Sequence, residues 1–408
     1  IPEYQATKPE PASDGGSGFF IGRYGDVLTQ PQVTIGLLLS SEGTYQCLGQ
    51  SSLAGARHAI ADLNRQRRYG FELRALEYDP RGELERYREG AVHLLRRGVR
   101  HIFGTTTSAS RKDVIPDLQQ HDALLWYACS YEGFESSENV VYLCACPNQA
   151  LLPLLRYAIG EFGKSAFLIG SNYVWGWESN RITRDALQMA DGNVLGERYV
   201  HLGSTAGIAE LFPRLVGHPP SFILNNLVGE SSYFFLRGLD AACARAGLRL
   251  PVLSYDLTEA ELEKVGPMKA LRLFTAGPYF EPSEPAFTLQ QRTLHGPDRL
   301  SHLYTCAYVS IELFADARQA CGSDDPAAML EYLHQMPVDT AIGKVRLCSR
   351  NNHSALPCHI AELDGEHFRI VHSEAQPIDA DPYLTTTSLQ TFREFSTDAA
   401  LRRLRIVK

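Results

Sequence analysis

The sequence predicts an α/β protein made of two doubly wound parallel-sheet lobes that are joined by a multi-strand hinge. Apolar runs of strand length alternate with amphipathic stretches of helical length, which is typical of parallel sheets covered by helices. The chain has 408 residues, which is too many for one small core and about right for two lobes. The predicted strands are also more numerous than one open sheet holds comfortably.

The first strand–helix unit shows the pattern that the rest of the chain repeats. Residues 33–40 (VTIGLLLS) form a continuous apolar run, as expected for a strand buried on both faces. A polar loop follows, and residues 49–66 then carry apolar positions at helical spacing. The predicted strands are 33–40, 71–79, 99–106, 123–129, 140–147, 165–172, 194–202, 220–228, 250–256 and 272–280. The predicted helices between them are 49–66, 82–98, 110–122, 148–163, 178–192, 205–217 and 230–247.

The last third of the chain departs from simple alternation. Helices are predicted at 285–294, 297–320 and 325–335. Residues 343–354 and 358–374 then have the pattern of antiparallel hairpin material, with Asp364-Gly365 as the turn.

We therefore expect the chain to cross between the lobes more than once. The expected division is a flexible arm at 1–31, a first lobe at 32–148 plus 275–336, a second lobe at 149–274 plus 337–383, and a tail at 384–408.

Composition and charge exclude several classes of protein. Apolar residues make up 44% and charged residues 21% of the chain, as in soluble globular proteins. No window approaches the roughly 18 apolar residues of a membrane span. The net charge of -8 argues against nucleic acid as a direct partner.

Nine cysteines are scattered along the chain without a CxxC pair. This pattern indicates reduced, buried thiols and favours the cytoplasm. No Cys/His spacing supports a metal site, and no glycine-rich nucleotide motif is present, so we expect neither metal nor cofactor. Because the sequence begins at Ile1 rather than methionine, a removed export signal keeps the periplasm as the alternative compartment.

Hydroxyl side chains occur where the predicted strand 99–106 gives way to a helix. Backbone N–H groups at a helix start can bind a carbonyl oxygen or an anion. Thr106, Thr107 and Ser108 are therefore candidate ligand-binding residues. The alternative is that Ser108 or Ser110 merely caps the helix, as every helix start requires.

Aromatic and amide side chains follow three further predicted strands. Such residues at strand ends can wall a small pocket around a neutral polar ligand. The alternative for each tyrosine is ordinary packing under a loop. The candidate residues at these ends are Tyr127, Ala128, Cys129, Tyr173, Trp175 and Asn226.

A specific combination of short stretches is spread over residues 33–383. The stretches are IGLLLSSEGT (35–44), SRKDVIP (110–116), DALLWYACSYEGFESSENVVY (122–142), PNQ (147–149), IGSNYVWGWESNR (169–181), GPYF (277–280), NNHS (351–354) and DPY (381–383). Together they resemble the type I periplasmic-binding-protein fold, in the branch of short-chain amide- and urea-binding proteins. Within that branch, the chain is most similar to the amide-sensing negative regulators of aliphatic amidase operons.

The resemblance implies a non-catalytic, hinged receptor that closes on a small amide. By that similarity Ser108 matches the serine that hydrogen-bonds the amide, Tyr127 matches a pocket tyrosine, and Tyr173 matches the tyrosine after the second-lobe strand. Tyr131 and Glu132 begin the matched YEGFE stretch.

The sequence departs from the family at several pocket positions. Thr106 and Trp175 replace pocket tyrosines, Cys129 replaces a threonine, and Ala128, like Ser130, replaces a proline. Sites that recognise a ligand by hydrogen bonds discriminate strongly when one partner changes. We therefore expect a small polar ligand related to the family's amide, rather than acetamide itself.

Three hypotheses for function remain open at this point, and the sequence favours the first over the other two. The first is a cytoplasmic ligand sensor that holds an RNA-binding antiterminator silent, with a homodimer also open. The second is the substrate-binding component of an ABC importer for amides, urea or amino acids, which delivers its ligand to a permease. The third, from another class, is a small-amide hydrolase with Cys129 as nucleophile, although no base is visible near it in the sequence.

Overall fold

Two sheets with helices on their faces organise the molecule, which confirms the predicted fold class. The structure is a computed structural model that describes residues 30–296 and 299–393. Most of the predicted arm 1–31 and the last part of the predicted tail 384–408 lie outside the described residues.

The first sheet has five strands in the order β2–β1–β3–β4–β5, and all neighbouring strands are parallel. The strands are β1 (Gln32–Leu38), β2 (Glu72–Tyr78), β3 (His101–Gly104), β4 (Leu124–Tyr127) and β5 (Val140–Tyr142). The helices that connect them are α1 (Gln46–Gln66), α2 (Leu84–Leu95) and α3 (Ser108–Gln120). Strands β3, β4 and β5 are buried throughout, as their unbroken apolar runs predict.

The second sheet begins with five parallel strands in the order β7–β6–β8–β9–β10. These strands are β6 (Ser165–Ser171), β7 (Asn193–Val200), β8 (Phe222–Asn226), β9 (Leu250–Leu253) and β10 (Leu271–Gly277). The helices of this lobe are α4 (Leu151–Glu161), α5 (Val174–Met189), α6 (Phe212–Gly217), α7 (Glu230–Ala246) and α8 (Leu262–Val265).

The chain returns to the first lobe after β10. It forms α9 (Pro285–His295), α10 (His302–Cys321) and α11 (Pro326–Gln335). Helix α10 packs closely along α1. Glycine makes this approach possible, because a Cβ at Gly55 would lie 2.1 Å from the carbonyl oxygen of Tyr304.

The predicted hairpin material divides between the two lobes. Strands β13 (His359–Asp364) and β14 (His367–Ser373) pair antiparallel beside β10, with Gly365 at a φ of 64° in the turn, as expected. The preceding segment does not join them. Instead, β12 (Gly343–Val345) pairs antiparallel with β11 (Val338–Thr340), a strand that the sequence pattern did not predict.

Three helices begin earlier than predicted, among them α1 at Gln46, and the predicted helix 205–217 is shorter. Helix α3 begins at Ser108 and α5 at Val174, because each helix starts within the polar or aromatic segment that follows its strand. The predicted helix 205–217 is a 3₁₀ turn at Ala209–Leu211 followed by α6.

Within the described residues, the chain crosses between the lobes at 143–150, 278–284 and 346–358. Two of the predicted lobe boundaries shift as a result. Strand β10 stays in the second sheet to Gly277, beyond residue 274, and residues 338–347 pack into the core of the first lobe. The three crossing segments form the multi-strand hinge of the predicted fold.

A candidate ligand-binding cleft

The carboxyl ends of the strands in both sheets face each other across a closed cleft. One continuous apolar cluster contains side chains that follow β1 and β4 in the first lobe and β6 and β9 in the second. Its members at the cleft are Tyr45, Leu48, Tyr127, Cys129, Trp175 and Tyr255. Ligands of open α/β sheets bind at this end of the strands, so the position fits a binding site.

A direct hydrogen bond joins the two lobes across the cleft. The Tyr45 hydroxyl of the first lobe donates to the Tyr173 hydroxyl of the second, over 2.5 Å. Burial raises the pKa of both phenols, so both remain protonated at neutral pH. The bond exists only when the lobes are in contact.

A glycine of the second lobe allows this close approach. Gly229, which precedes α7, has a φ of 62°, a region that favours glycine. A Cβ at this position would lie 2.4 Å from the carbonyl oxygen of Thr44, in the loop after β1. Any larger residue would therefore hold the lobes apart.

Aromatic rings line both sides of the cleft. Trp175 stacks on Tyr255, with ring centres 4.7 Å apart and an angle of 11° between the planes. On the first-lobe side, the Arg111 guanidinium lies 4.6 Å from the Tyr127 ring and 4.5 Å from the Tyr131 ring. Cation–π contacts of this kind fix the orientation of both tyrosines.

Several polar atoms around the cleft are buried without a hydrogen-bond partner among the described residues. They include the hydroxyls of Tyr127, Tyr255 and Thr106, the side-chain oxygens Glu132 Oε1, Asp256 Oδ1 and Asn226 Oδ1, both terminal nitrogens of Arg111 and both ring nitrogens of His302. Buried polar groups in proteins are almost always paired, and an exception requires an explanation. A bound polar ligand explains several such atoms at once.

The three hydroxyl residues between β3 and α3 have different roles. Ser108 donates a hydrogen bond to Glu132 Oε2 and thereby orients that carboxylate. Thr107 is the N-cap of α3 and forms a capping box with Ser110. The alternative interpretation of this segment expected such a helix cap, but at Ser108 or Ser110. Thr106 is buried beside the Tyr87 hydroxyl.

The residues at the end of β4 point to opposite faces of the first sheet. Cys129 lies with Tyr127 in the cluster at the cleft, whereas Ala128 packs into the other core, with Phe103 and Trp126. Successive residues of an extended segment point to opposite faces, so this separation follows from the strand period.

The environment of Cys129 opposes its use as a nucleophile. Burial, together with the nearby Cys144 and Asp256, raises its pKa well above the ordinary thiol value. A catalytic thiolate needs the opposite shift.

The side chain of Asn226, at the end of β8, makes one hydrogen bond. Its amide nitrogen donates to Asn180 Oδ1 over 2.9 Å, while its own Oδ1 stays unpaired. The neighbouring Asn225 instead donates to Ser232 and Ser254, within the second lobe.

Sequence reasoning missed several residues at the cleft. Tyr255 and Asp256 lie two and three residues after the end of β9, so the strand-end rule that found Tyr127 could also have found them. Tyr45 lies in the loop after the first strand. His302 had no local signal, because it reaches the cleft from the start of α10.

The buried imidazole of His302 lies close to the Asp256 carboxylate. His302 Nε2 lies 3.6 Å from Asp256 Oδ1. Although burial lowers the pKa of His302, Asp256 and the nearby Cys144 and Glu259 raise it to about 9. Burial also raises the pKa of Glu259 and of Glu261 to about 8.

Across residues 30–296 and 299–393, no group of three or more metal-binding side chains comes together. None of the helices in that part of the chain is long and apolar enough to cross a bilayer.

The two lobes, the three-segment hinge and the enclosed polar cleft define a hinged ligand-binding protein. The family model described as "Periplasmic binding protein domain" matches residues 33–389. The chain therefore belongs to the periplasmic binding protein family, of type I fold.

Solved structures with the same fold include substrate-binding proteins of ABC transporters. One is a solute-binding protein from Rhodopseudomonas palustris HaA2 in complex with p-hydroxybenzoic acid, with 17% identity, a TM-score of 0.75, and coverage of 88% of this chain and 100% of that one. Another is a leucine-binding protein from Thermotoga maritima, with 16% identity, a TM-score of 0.73, and coverage of 84% and 98%. A third is an amino acid ABC transporter substrate-binding protein from Pseudomonas fluorescens Pf-5, with 14% identity, a TM-score of 0.74, and coverage of 88% and 100%. At these identities the likeness shows the shared fold.

Proposed function

We propose that this protein binds a small planar amide- or urea-like ligand between its lobes and that hinge closure encloses the ligand without changing any bond. The observation that carries the proposal is the set of buried, unpaired polar atoms that both lobes contribute to one cleft. Water satisfies these atoms when the lobes separate, and a ligand satisfies them when the lobes close.

The proposed ligand-binding residues follow from the geometry of the cleft. Thr107 and Ala128 are left out, because a helix cap and a core contact occupy their side chains. The retained set is Tyr45, Thr106, Ser108, Tyr127, Cys129, Glu132, Tyr173, Trp175, Asn226, Tyr255 and Asp256.

The role we favour is the substrate-binding component of an ABC importer. The family and the substrate-binding proteins of similar fold support this role over that of a gene regulator. In this role the protein would act in the periplasm and deliver its ligand to a permease.

A cytoplasmic sensor is the second candidate, and one observation favours it. All nine cysteines are free thiols, and five of them besides Cys129 are fully buried. Proteins of an oxidising compartment that carry so many thiols usually pair some of them. In this role the ligand would control a partner such as an RNA-binding antiterminator.

We further propose that the protein is not an enzyme. The raised pKa of Cys129 disfavours the amide hydrolase that its position first suggested. Cys144 and Asp256, the neighbouring groups that act most strongly on this pKa, both disfavour a thiolate.

Small-angle X-ray scattering tests the binding proposal, combined with a thermal-shift screen of amides, ureas, amino acids, nucleobases and carboxylates. A ligand that raises the melting temperature should also reduce the radius of gyration, because it favours the closed lobes. Stabilisation without compaction would contradict closure. Ligand-stimulated ATPase activity of a reconstituted permease, or ligand-dependent release of an antiterminator, would then separate the two roles.

A further inference from the structure

Residues 378–387, which follow the hairpin of the second sheet, lie against two of the three crossing segments. The side-chain amide of Gln149, in the first crossing segment, donates to the carbonyl oxygen of Ile378 over 2.9 Å. Ile378 also exchanges two backbone hydrogen bonds with Leu356, in the third crossing segment, over 2.8 and 3.1 Å. These residues therefore join the two crossing segments to each other, and we call residues 378–387 the hinge strap.

One carboxylate holds the turn within the hinge strap. Asp381 is 8% exposed and accepts hydrogen bonds from the backbone N–H groups of Thr385, Thr386 and Thr387 over 2.7–3.0 Å. Although burial raises the pKa of Asp381, these N–H groups lower it to about 2, so the carboxylate is ionised at neutral pH. The backbone N–H of Asp381 donates to Asn148 Oδ1 over 2.9 Å, which attaches the turn to the first crossing segment.

The hinge strap also holds a loop of the first lobe, between β4 and β5. The carbonyl oxygen of Pro382 accepts a hydrogen bond from the backbone N–H of Phe134 over 2.8 Å. Phe134 has a φ of 58°, which is uncommon for a residue other than glycine. Such a conformation persists only where the surrounding structure holds it. The conformation of Phe134 therefore depends on its hydrogen bond to the hinge strap.

The Phe134 ring in turn contacts the second lobe. The Arg181 guanidinium, on α5, lies 4.7 Å from the centre of this ring. Two acids of the same helix orient the guanidinium, because Nε donates to Glu178 over 2.8 Å and Nη1 donates to Asp185 over 3.1 Å. Phe134 and Arg181 belong to different lobes, so this cation–π contact forms only when the lobes are closed.

We infer that Asp381 is a positioning residue for lobe closure: through Pro382 it holds Phe134 against Arg181 and thereby favours the closed arrangement. This inference goes beyond the proposed function, because it concerns the hinge in the absence of any ligand. The alternative is that the hinge strap only packs on the crossing segments, in which case its release would have local effects alone.

Hydrogen–deuterium exchange of the ligand-free protein distinguishes these two possibilities. The readout is the separate contact between the lobes at Thr44 and Gly229. Asp381→Ala removes the carboxylate of the hinge strap, and Phe134→Ala removes the ring that it positions. Each variant should reduce the amide protection of peptides that contain Tyr45 and Gly229 by about two- to fivefold, the factor expected for one exposed cation–π contact.

A double-mutant cycle tests whether Asp381 acts through Phe134. The double variant should lose no more protection at these peptides than Phe134→Ala alone, because the carboxylate then has no ring to position. Asp240→Ala is the matched control, since Asp240 is 7% exposed and accepts three backbone N–H groups within the second lobe. It should lower the melting temperature but leave the protection at Tyr45 and Gly229 unchanged.

Three outcomes would overturn the inference. They are faster exchange of the hinge strap with unchanged exchange at Tyr45 and Gly229, additive losses in the double variant, and an equal loss in Asp240→Ala. If Asp381→Ala does not fold, Thr386→Val takes its place and should give a smaller loss in the same direction, because it removes one hydroxyl donor to Asp381 at an exposed position. A ligand screen without any hit would contradict the proposed function and leave this inference standing.

Discussion

Closure of the lobes depends on the absence of a side chain at Gly229. In Gly229→Ala the new Cβ would lie 2.4 Å from the Thr44 carbonyl oxygen, whereas ordinary contacts begin at 3.4 Å. The closed lobes must therefore separate by about 1 Å at this point, and overpacking of this kind costs about 1–3 kcal/mol. A ligand that binds only the closed form should lose about 5- to 150-fold in affinity.

Gly266→Ala is the matched control for this prediction. Gly266 also has a positive φ, of 73°, and no atom lies within 4 Å of a Cβ built there. Both variants carry the backbone strain of a non-glycine residue and should melt at lower temperature than the wild type. Only Gly229→Ala should weaken the binding of an amide- or urea-like ligand in calorimetry and reduce compaction in scattering. Equal affinities of the two variants would refute the argument that Thr44 and Gly229 limit closure.

Three further predictions concern the cleft. Trp175→Ala should abolish ligand-induced thermal stabilisation while the ligand-free melting temperature changes little; a collapse of ligand-free stability would mean that Trp175 is a core residue. Ser108→Ala should weaken binding by about 1–3 kcal/mol in calorimetry, because Glu132 loses its donor; an unchanged affinity would remove Ser108 from the site. The pKa of His302 is raised from 6.5 to about 9, so its stabilisation is complete below pH 6.5 and is lost as the pH rises through 9. His302→Gln should flatten the decline of the melting temperature across this pH window. The decline that remains should come from Glu259 and Glu261, whose raised pKa values also make stability fall as the pH rises. An unchanged profile of melting temperature against pH would refute the role of His302.

The fold was predictable because its strands are short, continuous apolar runs separated by helical periodicity. The exception lies at β11 and β12, which have three residues each and pair with each other rather than with the later hairpin. Three-residue strands carry too few positions for an alternating pattern to be recognised. Their partner is set by packing on the first lobe, which local sequence does not record.

The candidate site was predictable only where a general rule of parallel sheets applied. Residues at strand ends, such as Tyr127 and Trp175, do lie at the cleft. Ala128 follows the same rule but points to the opposite face, which the strand period alone would have indicated. His302 could not be found in this way, because its position depends on the long-range return of α10 to the first lobe.

The unpaired atoms of the cleft also determine how a ligand can control the hinge. Each buried polar group without a partner costs about 1–3 kcal/mol, and Glu132, Asp256, Tyr127 and Tyr255 contribute such groups from both lobes. Separation of the lobes exposes these groups to water and removes that cost, so closure without a suitable ligand is opposed. A ligand that bridges unpaired groups of both lobes gains contacts available only in the closed form, and this difference in affinity is the quantity that shifts the population. A ligand that pairs with the polar groups of one lobe alone would bind the open and closed forms equally well, and the equilibrium between them would not change.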